Sequence, residues 1–414
     1  MSSPPNKKRK IVFLWTYTKW GGAQVYFFAI MKLAREEWDI VVLLPKDSRG
    51  DLLSFLDQLG IRYEFLENTF DPETERTVTG KLTRQMRRIR SEIETYRALG
   101  RFDTRHSVFH IEVAPWQSWI LLALLALRRA KVFATLHNFR PDPPLWRRLI
   151  WKFRFQVVSR LPGFHIFASN KDTKESLKEW VTPEFWDGIK VTYTCVDPEQ
   201  IALAREADFD RGDEREKFGI DRDKFVVLAV GQFIDRKGRW TFLEAASKIS
   251  RQSPDVQFVW VMPNDISEAD RDRVNGFDLG KAFIPITSSL IGSDRISILR
   301  FFRIADAFAL PSFVEGLPIA LLEAMAIGIP SISTNVYAIP EAVHNEQTGI
   351  LIEAGDIEAL SSAVLRLQRD GALRKHLSGQ GSEYVLKHFD ERDAAALCIA
   401  SYERALDGNN NRNL

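Results

Sequence analysis

The chain has 414 residues, 45% of them hydrophobic, and a formal net charge of only +2. This length exceeds that of one ordinary domain and predicts two domains of about 200 residues each, while the near-neutral charge argues against nucleic acid as a partner. The two cysteines, Cys195 and Cys398, have neither a disulfide-framework nor a metal-site spacing. We therefore expect free thiols in a reducing, cytoplasmic compartment.

Strand and helix patterns alternate along the first half of the chain, as a parallel sheet requires. The first strand is predicted at residues 11–15 and the first helix at 24–35. The later strands are predicted at 40–44, 62–66, 108–111, 131–136, 163–168 and 189–193, and the later helices at 50–60, 81–99 and 116–128, with a polar loop at 70–80.

A second alternating series begins at Phe225, after a charged stretch at 197–223 that shows no clear apolar period. Its strands are predicted at 225–230, 256–261, 307–310, 330–333 and 349–352, and its helices at 240–250, 356–369, 371–387 and 390–406. The predicted fold class is α/β, with two Rossmann-like, doubly wound domains. Ligands of such sheets bind at the carboxyl ends of the strands.

Two carboxylates of the second series, Glu315 and Glu323, have seven residues between them across a predicted loop-to-helix junction. Pro318 suits the first turn of a helix. The free amides near Leu317 and Ile319 would form an anion site, because a helix start carries partial positive charge. An anion pocket edged by two carboxylates fits a phosphate-linked molecule with hydroxyl groups, which describes a nucleotide sugar.

A glycine-flanked turn follows the strand at 225–230. Between Gly231 and Gly238 it contains Arg236 and Lys237, which are candidates for stabilising the charge of a departing diphosphate. The alternative for both cations is a plain solvated loop.

These segments together resemble the donor-site signature of retaining GT-B glycosyltransferases, family 4, and the likeness runs in order along nearly the whole chain. The resemblance rests on Glu315 and Glu323 with Gly328-Ile329-Pro330 and Ile339-Pro340-Glu341, on the turn at Lys237-Gly238, and on Trp20-Gly21-Gly22-Ala23-Gln24 after the first strand. It implies two domains facing a central cleft. The acceptor-side domain would comprise residues 1–196 plus 388–414, and the donor-binding domain residues 197–387.

The resemblance also implies roles for individual residues. Lys237 and Arg236 would contact the diphosphate, Glu323 the ribose and Glu315 the donor sugar. His137, which follows a predicted strand, would line the reaction centre and help to hold the acceptor. The catalytic candidates are thus His137, Lys237 and Glu315, and the donor-binding candidates are Gly21, Gly22, Gly231, Arg236, Lys237, Glu315, Gly316, Leu317, Pro318, Ile319 and Glu323.

Three residues depart from the family pattern. Gln232 stands where the family often has Arg, Gln24 where it often has Glu, and Cys195 where Gly is commoner. These departures keep two alternatives open. One is a non-catalytic nucleotide-sugar-binding protein, and the other is a GT-B-like epimerase acting on UDP-sugars.

No metal and no cofactor are expected. The Asp-x-Asp pairs at 208–210, 221–223 and 270–272 lie in charged segments without an adjoining strand end, which is typical of solvated faces. The resemblance implies hexosyl transfer with retention, in which the leaving phosphate takes the acceptor proton. The donor would be a UDP- or GDP-sugar acting as a co-substrate.

The acceptor is expected to be a glycan or a lipid-linked molecule in cell-envelope or exopolysaccharide synthesis. The segment Leu145–Val158 mixes Trp and Phe with Arg and Lys at helical spacing. Such a helix can lie on an anionic membrane, so we expect a cytoplasmic protein with peripheral contact at the inner face of the membrane. The alternative is ordinary core packing with basic side chains extended toward solvent.

Overall fold

The computed structural model of the chain describes residues 8–15, 22–48, 50–66, 78–292 and 294–408. Gly21 and most of the loop predicted at 70–80, namely residues 70–77, lie outside this description. The chain forms two compact units. The amino-terminal unit comprises residues 1–193 and 392–414, and the carboxyl-terminal unit comprises residues 194–391.

The amino-terminal unit contains a seven-stranded sheet in which every pair of neighbours is parallel, in the order β3-β2-β1-β4-β5-β6-β7. Its strands are β1 Lys10–Leu14, β2 Asp39–Pro45, β3 Arg62–Leu66, β4 Ser107–Ile111, β5 Lys131–Leu136, β6 Phe164–Ala168 and β7 Lys190–Val191. Its helices are α1 Gly22–Ala34, α2 Gly50–Gln58, α3 Val78–Leu99, α4 Trp119–Leu127, α5 Leu145–Val158, α6 Lys171–Leu177 and α7 Pro183–Gly188, with α16 Glu391–Leu406 returning from the end of the chain.

The central strands β1, β4 and β5 are buried along almost their whole length, as is typical of parallel sheets covered by helices. One core cluster joins alternate residues of β1, β4 and β5 to the inner sides of three helices. Leu99 of α3, Leu122 of α4 and Phe155 of α5 all belong to that cluster, so α3, α4 and α5 cover the same face of the sheet. No helix in the described ranges is both long enough and apolar enough to span a bilayer.

The carboxyl-terminal unit contains a six-stranded parallel sheet in the order β10-β9-β8-β11-β12-β13. Its strands are β8 Phe225–Val230, β9 Val256–Met262, β10 Phe283–Thr287, β11 Ala307–Leu310, β12 Ser331–Thr334 and β13 Ile350–Ile352. Its helices are α8 Pro198–Glu206, α9 Arg211–Lys217, α10 Arg239–Gln252, α11 Glu268–Asn275, α12 Arg295–Phe301, α13 Ile319–Ile327, α14 Ile357–Arg369 and α15 Gly371–His388. The fold class is thus α/β with two Rossmann-like domains, as predicted.

The charged stretch at 197–223, in which the sequence shows no clear apolar period, forms α8 and α9. Polar contacts rather than an apolar period stabilise α9. Asp210 caps its start by accepting from the amide of Asp213 at 2.8 Å, and the buried Arg215 donates to the carbonyl oxygens of Ile304 and Lys224 at 2.9 Å each. A search for apolar periodicity does not detect a helix held in this way.

Candidate functional site

The strand order of the carboxyl-terminal sheet reverses direction between β8 and β11. At such a switch point the connections leave the sheet on opposite faces, so the carboxyl ends of the two strands border a crevice. β8 continues into the turn from Gly231 to Gly238, and β11 continues into the segment from Pro311 to Pro318. Both segments that the sequence analysis selected for donor binding therefore begin at this point.

Gly238 brings these two turns into contact. Its φ is 74°, and a Cβ at this position would lie only 1.8 Å from the carbonyl oxygen of Pro311. The amide of Phe313 donates to the carbonyl of Arg236 at 2.9 Å. Only glycine tolerates both this φ and this close approach. Gly238 therefore fixes the position of the residue before it, Lys237.

Lys237 forms an ion pair with Glu315 through its Nζ. The carboxylate is 4% exposed and also accepts from Ser312 Oγ at 2.9 Å. Arg236 Nη1 lies 3.8 Å from Glu315 and donates to the carbonyl of Val314 at 3.3 Å. The structure thus gathers all three predicted residues of this group, with Lys237 half-buried and Arg236 exposed.

The start of α13 follows directly. The chain bends at Gly316 and Leu317, and Pro318 occupies the N-cap position before Ile319. Proline has no side-chain acceptor, and no described side chain caps this helix. The first amides of α13 are therefore available to an anion, and the helix dipole favours negative charge there.

Glu323 lies in the second turn of α13, is 2% exposed and forms an ion pair with Arg295 of α12. Burial lowers the pKa of Arg295 to about 10, while Asp197 and Glu391 act in the opposite direction, so its guanidinium stays protonated at neutral pH. Sequence reasoning missed Arg295. The signal was the capping residue Asp294, which accepts from the amide of Ser297 at 2.8 Å and starts α12.

The amino-terminal sheet has its own switch point, between β1 and β4. His137 follows β5, and Glu112 follows the neighbouring strand β4, so both lie at the carboxyl edge of the sheet. His137 Nε2 is 3.7 Å from Glu112 Oε1, and the ring of Tyr26 packs edge-on against His137 with centroids 5.7 Å apart. Glu112 is a second residue that sequence reasoning missed.

Glu112 is buried and incompletely paired. It is 8% exposed, and among the described residues neither of its oxygens, nor Nε2 of His137, has a hydrogen-bond partner. Burial raises the pKa of Glu112, and His137 opposes that shift. His110 is fully buried and bonds to Tyr402 OH at 2.5 Å and to Thr135 Oγ1 at 2.8 Å.

The other residues that the sequence analysis named have the following positions. Gly22 is the first residue of α1, and Gln24 on the same helix is buried. Gln232 is exposed in the turn after β8, and Cys195 is buried. Asp270 binds Arg239 instead of facing a strand end.

Two further observations concern a metal site and a cavity. Across the described ranges, no group of three or more His, Cys, Asp and Glu side chains is arranged to hold a metal ion. A cavity of about 600 Å³ lies beside β9 and β10, with Arg271, Phe283 and Thr287 in its lining. None of the predicted donor-binding residues lines that cavity.

Known proteins resemble this chain in sequence family and in fold. Residues 210–384 match the family model of glycosyl transferases group 1. The UDP-Gal:alpha-D-GlcNAc-diphosphoundecaprenol alpha-1,3-galactosyltransferase of Escherichia coli is 30% identical over 263 residues, which are 61% of this chain and 65% of that protein. The amylovoran biosynthesis glycosyltransferase AmsK of Erwinia amylovora is 30% identical over 173 residues, which are 39% and 41% of the two chains.

Solved structures share the fold over almost the full length. HepE of Anabaena, solved in complex with UDP and glucose, superposes with a TM-score of 0.74 at 18% identity and covers 95% of this chain and 99% of its own. Sucrose-phosphate synthase of Thermosynechococcus elongatus gives 0.69 at 18% identity, with 97% and 100% covered. The chain spans less than two thirds of the length of the curated relatives described above. The comparisons therefore show that residues 210–384 match the glycosyl transferases group 1 and that the chain has the GT-B fold of the glycosyltransferase structures.

Proposed function

We propose that this protein is a retaining, family 4 glycosyltransferase that moves a hexosyl group from a UDP- or GDP-sugar to an acceptor without a metal ion. The observation that carries the proposal is the meeting of Lys237 and Glu315 at the switch point between β8 and β11. A fixed cation, a carboxylate and the uncapped start of α13 lie next to one another there, and a sugar diphosphate needs all three.

The chemistry follows from charge. When the bond between sugar and phosphate breaks, negative charge accumulates on the diphosphate, and preorganised donors that stabilise this charge lower the barrier. Lys237 and the first amides of α13 supply such donors. The diphosphate would draw Lys237 away from Glu315, which leaves that carboxylate free to accept from hydroxyls of the transferred sugar.

We assign the ribose contact to Glu323, whose carboxylate forms an ion pair with Arg295. A carboxylate can accept a hydrogen bond from each of two neighbouring hydroxyls while it keeps a cation on its remaining lone pairs. His137 and Glu112 would serve the acceptor side, where His137 helps to hold the acceptor. The leaving phosphate oxygen would take the acceptor proton.

The acceptor proposed is a lipid-linked glycan or another glycan of the cell envelope or an exopolysaccharide. The support is the similarity to an enzyme named for a diphosphoundecaprenol-linked acceptor and to an amylovoran biosynthesis enzyme. We place the protein in the cytoplasm, with peripheral membrane contact through α5.

The test has two stages. A thermal-shift screen of the purified chain against UDP, GDP and ADP should show one preferred diphosphate, because binding only to the folded state raises the melting temperature. The matching nucleotide sugar should then be hydrolysed slowly without acceptor and with retention at the anomeric carbon, and EDTA should leave the rate unchanged.

Other outcomes identify the competing functions. Nucleotide-sugar binding without any turnover would indicate the non-catalytic binding protein, and an epimer formed without acceptor would indicate the UDP-sugar epimerase. Loss of all activity in EDTA, with recovery on adding Mn²⁺, would exclude the metal-free mechanism.

A further inference from the structure

Three helices of the amino-terminal unit expose most of the large apolar side chains found on the described surface. Sixteen large hydrophobic residues are exposed there, and eleven of them lie on α3, α4 and α5. Scattered exposed apolar residues are normal, but concentration in one region marks an interaction surface.

The exposed residues follow helical spacing on each of the three helices. On α3 and α4 they are Met86, Ile89, Ile93, Ile120, Leu124 and Leu127. On α5 they are Leu145, Trp146, Leu149, Ile150 and Phe153. Steps of three and four residues keep side chains on one side of a helix. Each helix therefore has two apolar sides, one in the core and one facing outward.

The three helices form one continuous layer. α4 packs against both α3 and α5. Arg154 of α5 donates to the carbonyl of Trp116 at 3.2 Å and lies 6.0 Å from the ring centroid of Trp119, the first residue of α4. Arg88 and Glu92 of α3 act electrostatically on the same guanidinium. We call the outward side of this layer the α3–α5 surface.

Positive charge is concentrated in the same part of the chain. Residues 78–160 contain 17 lysines and arginines and only five acidic residues, although the net charge of the whole chain is +2. Helix α5 has four basic residues and no acidic one. Arg90, Arg147 and Lys152 are exposed beside the apolar stripes, and the guanidinium of Arg147 lies 5.3 Å from the ring centroid of Trp146.

We propose that the α3–α5 surface docks on the interface of an anionic lipid membrane. Its apolar stripes would enter the boundary between headgroups and acyl chains, and its basic residues would contact lipid phosphates. A second copy of the chain fits this surface poorly, because pairing two such surfaces would bring like charges together. The contact thus involves three helices and not α5 alone.

Vesicle sedimentation tests this assignment without depending on sugar transfer. The protein should bind vesicles that contain phosphatidylglycerol, bind pure phosphatidylcholine vesicles weakly, and lose binding as salt is added. The double variant Leu149→Ser/Phe153→Ser should bind about 100-fold more weakly, since it removes two apolar side chains from the interface. Arg147→Glu/Lys152→Glu should bind at least about tenfold more weakly.

Matched variants on the carboxyl-terminal unit serve as controls. Leu203→Ser alters a side chain that is 54% exposed on α8, and Arg251→Glu/Lys375→Glu reverses two exposed charges. Both should bind vesicles like the parent protein. All altered side chains are exposed, so each variant should keep the parent's melting temperature and its response to the nucleoside diphosphate.

Two results would overturn the proposal. One is vesicle binding by the α5 variants that equals that of the parent. The other is a parent protein that ignores anionic vesicles and dimerises in light scattering, with Leu149→Ser/Phe153→Ser restoring the monomer. If vesicle binding is absent while diphosphate binding is intact, only the membrane proposal fails.

Discussion

The two sheets have the same architecture, but the carboxylates at their switch points differ in pairing. In the carboxyl-terminal unit, Glu315 forms an ion pair with Lys237 and accepts a hydrogen bond from Ser312, and Glu323 forms an ion pair with Arg295 although its Oε1 has no hydrogen bond among the described residues. In the amino-terminal unit, Glu112 approaches His137 only to 3.7 Å, and within the described residues neither carboxylate oxygen is hydrogen-bonded.

This difference separates two kinds of binding site. A carboxylate that is already paired with a fixed cation is preorganised for binding. A ligand can replace one contact of such a pair while the buried negative charge of the carboxylate stays compensated. A buried carboxylate without hydrogen bonds has lost its hydration and gained little in return. Such a group either holds a proton or is completed by a ligand. We therefore expect the four residues of the first site to act through pairs, and Glu112 to act through its protonation.

The largest effect should come from breaking the pair of Arg295 with Glu323. Arg295→Leu leaves Glu323 buried without its cation, so we expect the free energy of unfolding to fall by about 3 kcal/mol or more. Urea denaturation of the purified chain measures this change. The exposed contact of Arg236 with Glu315 is the matched control, and Arg236→Leu should cost at most about 1 kcal/mol.

A double variant sharpens the same test. In the Arg295→Leu background, Glu323→Gln removes the stranded charge and should recover part of the lost stability, which a double-mutant cycle reports as coupling. If the two substitutions add without coupling, the ion pair does not exist in solution and the contrast between the two sheets fails.

The next effect concerns catalysis. Lys237→Ala removes one preorganised cation from the diphosphate and should lower kcat by about 100-fold or more. Initial rates of sugar transfer or of donor hydrolysis measure it. Lys375→Ala, on the exposed side of α15, is the matched control and should keep the parent's rate. Parent-like turnover by Lys237→Ala would remove this lysine from the mechanism.

A smaller effect should follow from moving the turn that positions Lys237. Gly238 and Gly219 have nearly equal φ values, 74° and 72°, but a Cβ on Gly219 would meet no atom within 4 Å. Gly219→Ala should therefore cost about 1 kcal/mol for its left-handed φ alone. Gly238→Ala also collides with Pro311 and should cost about 2 kcal/mol or more. Equal melting temperatures for the two variants would show that the contact between the turns is unimportant.

The sequence predicted the strands of both sheets well, because parallel strands that are buried on both faces appear as continuous apolar runs. It assigned no element between residues 262 and 306, where the structure has β10, α11 and α12. β10 is an edge strand that contains the exposed Pro285, and proline in a strand weakens the pattern. α12 has only seven residues, too few for a clear period.

The sequence also placed Lys237 and Glu315 in separate motifs that the structure brings together, because each motif directly follows a strand. It could not provide Arg295 or Glu112. Arg295 reaches Glu323 from a helix that the apolar pattern does not reveal, and Glu112 is notable only because none of the described residues forms a hydrogen bond with its carboxylate. Both facts depend on packing between segments distant in sequence, which local spacing does not encode.

Glu112 gives the smallest and most specific prediction. Its pKa is raised above the ordinary value of 4.5 by burial, so the folded chain keeps this proton at pH values where the unfolded chain has lost it. Stability should therefore decrease as the pH rises from about 4.5 through the folded-state pKa. Glu112→Gln should abolish this decrease, whereas Glu179→Gln, on an exposed carboxylate of the same unit, should preserve it. Urea midpoints measured across this pH range distinguish the two outcomes. If the pH slope survives in Glu112→Gln, the carboxylate is already hydrated or paired in solution, and the two switch points do not differ in the way proposed here.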